Sequence, residues 1–257
     1  MEKNEPLQSE SALDAGLKQW FTAPLGSMLL GQESEALKSA LSGVFGHYLV
    51  QVGFPDLEKG PIAYESLKYH VFTAPGTPDH ERSRWIRADP SRLPIATDST
   101  DAVLIQHTLD FFPDPHQVLR EADRVLIPEG RLIILGFNPW SLWGLWRMFR
   151  RHSDKVPWCG RFFSPGRVTD WLSLLGFDVE TTASLMFRPP LRHRGLMNRL
   201  DIMERLGARW WPIMSGVYLL VAVKRVSTLT PLKPVWKLPR GILGGRAIEP
   251  TTRNGRG

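Results

Sequence analysis

Apolar residues follow two rhythms along this chain. Asp101-Ala-Val-Leu-Ile-Gln106 and Arg131-Leu-Ile-Ile-Leu-Gly-Phe137 are short, nearly unbroken apolar runs, the pattern of strands buried on both faces of a parallel sheet. Between them, Pro113-Asp114-Pro115 breaks the chain. Val118, Leu119, Ala122, Val125 and Leu126 then recur at three- and four-residue steps against Arg120, Glu121, Asp123 and Arg124, which predicts an amphipathic helix. Pro128-Glu-Gly130 is expected to stop that helix before a strand over 131–137. Strand, helix and strand at this spacing predict a right-handed crossover unit.

The same reading extends to both sides. Residues 1–12 are polar and expected to lack structure. Trp20, Phe21, Leu25, Met28 and Leu29 form an apolar cluster that Pro24 and Gly26 interrupt, predicting a short helix and turn. Ala36, Leu37, Ala40, Leu41 and Val44 make one stripe of a helix over 33–45. Strands are predicted over 48–54, 67–73 and 85–87. Ser164-Pro165 predicts a helix start, with Trp171, Leu172, Leu174 and Leu175 toward the core and Gly176 at its end. Runs over 177–187 and 217–224 predict an antiparallel pair at the sheet edge. From 140 to 151 three tryptophans fall in seven residues. Pro139 is expected at the first position of that helix. Leu142, Leu145 and Phe149 share one face, and Trp143/Arg147 and Trp146/Arg150 are spaced for cation–π contact. Two readings compete: a lid over the sheet's crevice that walls an apolar pocket, which is preferred, or an interfacial helix at a headgroup layer.

Composition narrows the class. A chain of 257 residues, 42% hydrophobic and 23% charged, suits one large α/β domain. No apolar run reaches the ~20 residues that span a bilayer, and the polar, acidic start MEKNEPLQSE is not expected to act as a signal peptide. The single cysteine, Cys159, excludes an internal disulfide, fits a reducing, cytoplasmic compartment, and is expected to serve packing. Of the net charge of +6, five units lie after Val226, where Lys233, Lys237, Arg240, Arg246, Arg253 and Arg256 face Glu249 alone. That Pro- and Gly-rich tail is expected to be disordered, with weak, sequence-independent attraction to RNA or an anionic membrane. Arg188, Arg192, His193, Arg194, Arg199, Arg205 and Arg209, offset by Asp201 and Glu204, are expected to form a solvated linker, the alternative being contact with an anionic substrate or RNA.

The order Asp89…Leu93-Pro94…Asp101-Ala-Val…Pro113-Asp114-Pro115…Leu119-Arg-Glu…Arg124-Val-Leu…Pro128-x-Gly130-Arg-Leu-Ile, continued by Leu172-x-x-Leu-Leu-Gly176-Phe177-x-Val179, resembles the class I S-adenosylmethionine-dependent methyltransferases of the type 11 group. The resemblance covers residues 43–225 in order. It implies a Rossmann-like, seven-stranded α/β fold, mostly parallel, with order 3-2-1-4-5-7-6 and helices on both faces. The implied organisation is a helical extension over 1–42, a methyltransferase-like domain over 43–226 and the basic tail over 227–257.

The cofactor it implies is S-adenosylmethionine, bound where the first strand meets a glycine-rich turn, so that backbone amides approach closely. Aligned to that turn is Gln51-Val-Gly53-Phe-Pro55-Asp-Leu57: Gly53 is kept, the acid is Gln51, and two glycines have become Pro55 and Leu57. Either this loop still seats the cofactor or it is a plain strand-to-helix connection. The second strand runs into Ala74-Pro-Gly76 with no carboxylate before Asp79, where the family holds ribose and a nicotinamide dehydrogenase needs an acid. Asp89 aligns with the family's adenine acceptor, while Pro90 has no amide to face the ring; Asp89 as the cap of a turn is the competing account. Gln106 and His107 lie at the fourth strand's carboxyl end. His107 is the candidate base, though a histidine packed with satisfied nitrogens explains it as well; Asp110 is a further polar candidate. Asn138-Pro139-Trp140 follows the fifth strand, not the fourth, and is set aside as an amine site. No metal ligands are predicted. Methyl transfer to a small-molecule acceptor is expected, with the Trp-rich segment pointing to an apolar one. The alternative is a non-catalytic binding or regulatory relative.

Overall fold

Two helices come before any strand. The computed structural model describes residues 5–44, 46–53, 69–74, 85–150, 155–190, 211–225 and 255. Helix α1 (Glu5–Thr22) begins inside the stretch expected to lack structure. Its Leu13, Leu17 and Phe21 recur every four residues and reach the core, so they extend the apolar stripe toward the N-terminus. Pro24 ends α1 and sits in the first turn of α2 (Pro24–Ser42), where its missing N–H is no loss. Gly26 does not interrupt that helix: a Cβ there would stand 2.2 Å from the Trp20 carbonyl oxygen, so glycine permits the close approach of α1 to α2. The buried row of α2 is Leu29, Glu33, Leu37 and Leu41, at four-residue steps.

Seven strands follow: β1 (Tyr48–Gly53), β2 (Tyr69–Ala74), β3 (Trp85–Arg87), β4 (Thr100–Gln106), β5 (Leu126–Phe137), β6 (Phe177–Leu185) and β7 (Val217–Lys224). They form one sheet in the order β3-β2-β1-β4-β5-β7-β6. Neighbours among β1 to β5 are parallel, whereas β7 runs antiparallel to both β5 and β6. The sheet is therefore mixed, which corrects the expectation of a mostly parallel one. A parallel neighbour requires a crossover over the sheet, and β7 instead reverses direction between its two partners. β5 also starts five residues early. Pro128-Glu-Gly130 does not separate helix from strand but lies inside β5, where the register with β4 shifts and Glu129 has φ 63°, as at a bulge.

Side chains alternate across the sheet with period two. Ala102 and Leu104 of β4 and Ile133, Leu135 and Phe137 of β5 face α1 and α2. Val103, Ile105, Leu132 and Ile134 face the other layer, built by α4 (Pro115–Val125) and α6 (Pro165–Leu174). The short helix α3 (Thr108–Phe111) links β4 to α4. The predicted stripe of α4 is buried as a set, whereas Leu174 of α6 is 86% exposed and only Val168 and Leu172 of that helix are buried. Ser164 caps α6, accepting the Arg167 amide at 3.3 Å. Ser164→Ala is expected to lower stability by about 1 kcal/mol, read as a shift in urea midpoint with an unchanged slope.

Helix α5 (Leu142–Phe149) starts from Ser141, whose Oγ accepts the Gly144 amide. Pro139 lies before that cap, not at the first helical position. Trp143 is buried, while Leu145 and Phe149, which share a face, are exposed. The Arg150 guanidinium lies over Trp146, but that of Arg147 lies over Phe162 instead of Trp143. Cys159 is exposed and in no disulfide, so it packs no core. Arg188, assigned to a solvated linker, is buried, and its carbonyl accepts the Trp143 indole N–H at 2.8 Å. Contacts divide the chain into Met1–Val226 and Ser227–Gly257. Apart from Gly255, the basic tail lies outside the described residues, as do 191–210 and the loops carrying Pro55, Leu57 and Asp79.

Candidate active site

The sheet's order reverses between β1 and β4, which pair in parallel with Gly53 opposite Gln106. In open α/β sheets ligands bind outside the carboxyl ends of the strands at such a switch point. Gln51, Gly53, Gln106 and His107 all reach this place. Asp89 lies at the same edge, two strands away, after β3.

A continuous chain of polar side chains crosses the switch point. The Gln51 amide donates to Gln106 Oε1 at 3.0 Å, and Gln106 Nε2 donates to Glu33 Oε2 at 3.0 Å. Glu33 Oε1 lies 2.8 Å from His107 Nε2, and His107 Nδ1 lies 3.3 Å from Asp110 Oδ2. That same Asp110 oxygen accepts the Phe137 amide at 3.0 Å, at the end of β5. Helix α2 is thereby joined through one carboxylate to β1, β4 and β5. Glu33, His107 and Asp110 are all buried.

Burial alone would lower the His107 pKa. The Glu33 carboxylate and the bonds to Asp110 and Glu33 outweigh it and raise the pKa to about 9. His107 is therefore an imidazolium at neutral pH, stacked on Phe137 with ring centroids 4.3 Å apart. Burial raises the Asp110 pKa against the lowering by His107, the Phe137 amide and Arg147. Asp110 Oδ1 is a buried oxygen without a hydrogen-bond partner. The backbone is strained here too. His107 sits at φ 53°, ψ 6° as the cap of α3, a left-handed conformation that costs a non-glycine residue about 1–2 kcal/mol and recurs at functional sites.

Gly53 has φ +126°, and a Cβ there would fall 2.5 Å from both the Gln106 carbonyl oxygen and Thr108 Oγ1. Thr108 Oγ1 itself donates to the Val52 carbonyl at 2.9 Å. Glycine thus lets the end of β1 lie against the end of β4. Asp89 is exposed and its Oδ1 accepts the Ser91 amide at 2.8 Å and the Ser91 hydroxyl at 2.7 Å, a turn of the kind the competing account expected. Pro90 is buried beside it. The loop beyond is fastened to α4: the Leu93 amide donates to Glu121 at 2.8 Å, and Arg124 Nη2 donates to the Leu93 and Ile95 carbonyls. The bond from Arg124 to Glu121 is the main cause that lowers the Glu121 pKa.

Glu33 is the residue that sequence reasoning missed. Its signal was a carboxylate four residues after Leu29 and four before Leu37, inside an apolar row. Among the described residues no group of three or more His, Cys, Asp or Glu side chains is arranged to hold a metal ion. No described helix is long and apolar enough to cross a membrane.

Residues 62–134 match the family model described as a methyltransferase domain. The chain is 33% identical over 223 residues to the uncharacterized protein YafS of Escherichia coli K12, covering 86% of this chain and 87% of that protein. It is 31% identical over 133 residues to the malonyl-[acyl-carrier protein] O-methyltransferase of Hahella chejuensis, covering 52% of this chain and 44% of that protein. Among solved structures, a SAM-dependent methyltransferase from Thermotoga maritima superposes with a TM-score of 0.56 at 20% identity, over 76% of this chain and 88% of that one.

Proposed function

Since this chain belongs to the class I S-adenosylmethionine-dependent methyltransferases of the type 11 group, we propose that it transfers a methyl group to a small, apolar acceptor at the carboxyl ends of β1 and β4. The observation that carries this reading is the gathering of Gln51, Gly53, Gln106 and His107 at the sheet's switch point, with Asp89 on the same edge. The reading includes the class I sheet arrangement, the 1–42 extension, the 43–226 domain, a cytoplasmic setting, and weak tail contact with RNA or anionic membrane.

The donor set fits the cofactor. S-adenosylmethionine, when bound, supplies an electrophilic methyl group on a sulfonium. The Asp89 carboxylate, exposed at the edge, is an acceptor suited to the adenine amino group. Gly53 lets backbone approach closely, and Gln51 and Gln106 offer amides in place of the family's acid. His107 is a positioning residue in this account. As an imidazolium with both ring nitrogens beside carboxylates, it has no lone pair with which to take a proton. Methyl transfer by in-line displacement gains chiefly from positioning, so no base is obligatory.

A second reading, a binding or regulatory relative that has lost the cofactor, is favoured by one observation. Gln51, Gln106 and Glu33 already satisfy one another across the switch point. Titration calorimetry with S-adenosylmethionine and S-adenosylhomocysteine separates the two. The methyltransferase reading expects binding of both, weakened about tenfold in Asp89→Ala, as for one lost charge-assisted hydrogen bond. No heat at millimolar ligand with folded protein leaves only the second reading.

A further inference from the structure

One face of α5 is apolar and uncovered. Leu145, Trp146, Met148 and Phe149 are exposed, Phe149 to 78%. At about 100° per residue they span an arc of roughly 160°. Trp143, on the other side, is buried in the core and anchors the helix. The face continues past the helix start. Asn138 Oδ1 accepts the Trp140 amide at 3.1 Å, and its Nδ2 donates to the Ile213 carbonyl at 2.7 Å. This pair of bonds holds the turn Pro212–Met214 beside the entry to α5. Trp140 is 71% exposed and Ile213 75%, with Trp211 and Met214 exposed next to it. A contiguous apolar surface of this kind marks an interaction site.

Charge decides among occupants. Arg150 is exposed and lies over the Trp146 ring at 5.5 Å, whereas Arg147 turns inward, its Nε donating to the Gly160 carbonyl at 2.6 Å. No acidic residue occurs between Glu129 and Asp154 or between Glu204 and Glu249, so neither stretch that builds the face, 140–149 or 211–214, brings a carboxylate to it. A second copy would set arginine against arginine without a carboxylate to pair them. We propose that this face docks on an anionic phospholipid bilayer, with the α5 arc in the headgroup–acyl boundary and Arg150 among the phosphates. The inference is independent of methyl transfer, because partition onto vesicles needs neither cofactor nor acceptor.

The test is flotation of the full chain with vesicles of equal parts phosphatidylglycerol and phosphatidylcholine, against phosphatidylcholine alone. Binding is expected on the anionic vesicles and about tenfold less on the neutral ones or in high salt. Met148→Ser with Phe149→Ser, both exposed and tolerated by the fold, should weaken partition at least roughly tenfold. Lys233→Ser with Lys237→Ser in the tail should change it less than about threefold, as expected for peripheral charges. The proposal is overturned by wild-type protein that does not float. It is equally overturned by an α5 variant that floats like wild type, or by sedimentation showing a dimer that the α5 variant dissolves while vesicles stay bare.

Discussion

Glu33→Ala is expected to lower folding stability by about 3–5 kcal/mol, the usual consequence of removing one partner from a buried charged pair. The substitution strips His107 of its 2.8 Å contact and leaves Gln106 Nε2 without its acceptor. Glu33→Gln keeps the volume and one acceptor, and should lose about 1–3 kcal/mol. The distinguishing readout is pH. The pKa of His107 in the folded protein is raised to about 9, above the 6.5 of a free imidazole side chain. Its contribution is therefore complete below pH 6.5 and disappears as pH rises through 9. A difference of this size corresponds to a contribution on the order of 3 kcal/mol. The raised pKa of Asp110 acts in the same sense, because folding again favours the protonated form. Urea midpoints of the wild type should fall between pH 6.5 and pH 9, and those of Glu33→Ala should fall much less. Parallel pH profiles for the two proteins would refute the pairing as the source.

Gly53→Ala should be nearly as damaging. The left-handed φ costs about 1–2 kcal/mol with any Cβ, and the added carbon would fall 2.5 Å from the Gln106 carbonyl oxygen. That oxygen belongs to the residue paired with Gly53 across β1 and β4, so relief requires opening the sheet where the site is built. A total of roughly 3–4 kcal/mol is expected, read as a drop in Tm, together with loss of S-adenosylmethionine binding by the folded fraction. Gly31→Ala is the control: nothing lies within 4 Å of its Cβ, so the helix should gain up to about 1 kcal/mol. Equal Tm values for the two variants would contradict the close approach at Gly53.

Much of the layout was legible along the chain because each signal is local. The runs at 101–106 and 131–137, the stripe of α4 and the Ser164 cap report backbone state through hydrogen-bond and side-chain period within a few residues. Misreadings arose where a local signal had two physical meanings. Gly26 and Pro128-Glu-Gly130 look like breaks, yet one accommodates a neighbouring helix and the other a bulge in a continuing strand. Leu145 and Phe149 share a face by period, but period alone does not say that Trp143, the larger ring, takes the buried side of α5.

Hydrophobic period and turn chemistry, which need only sequence neighbours, therefore determined the strands and most helices. The environment of His107 was decided only by tertiary structure. Its partner Glu33 lies 74 residues away on another element, and electrostatic pairing depends on distance in space and on exclusion of water. The same holds for the exposed arc of α5, since periodicity specifies which residues share a face but not which face the rest of the protein leaves bare.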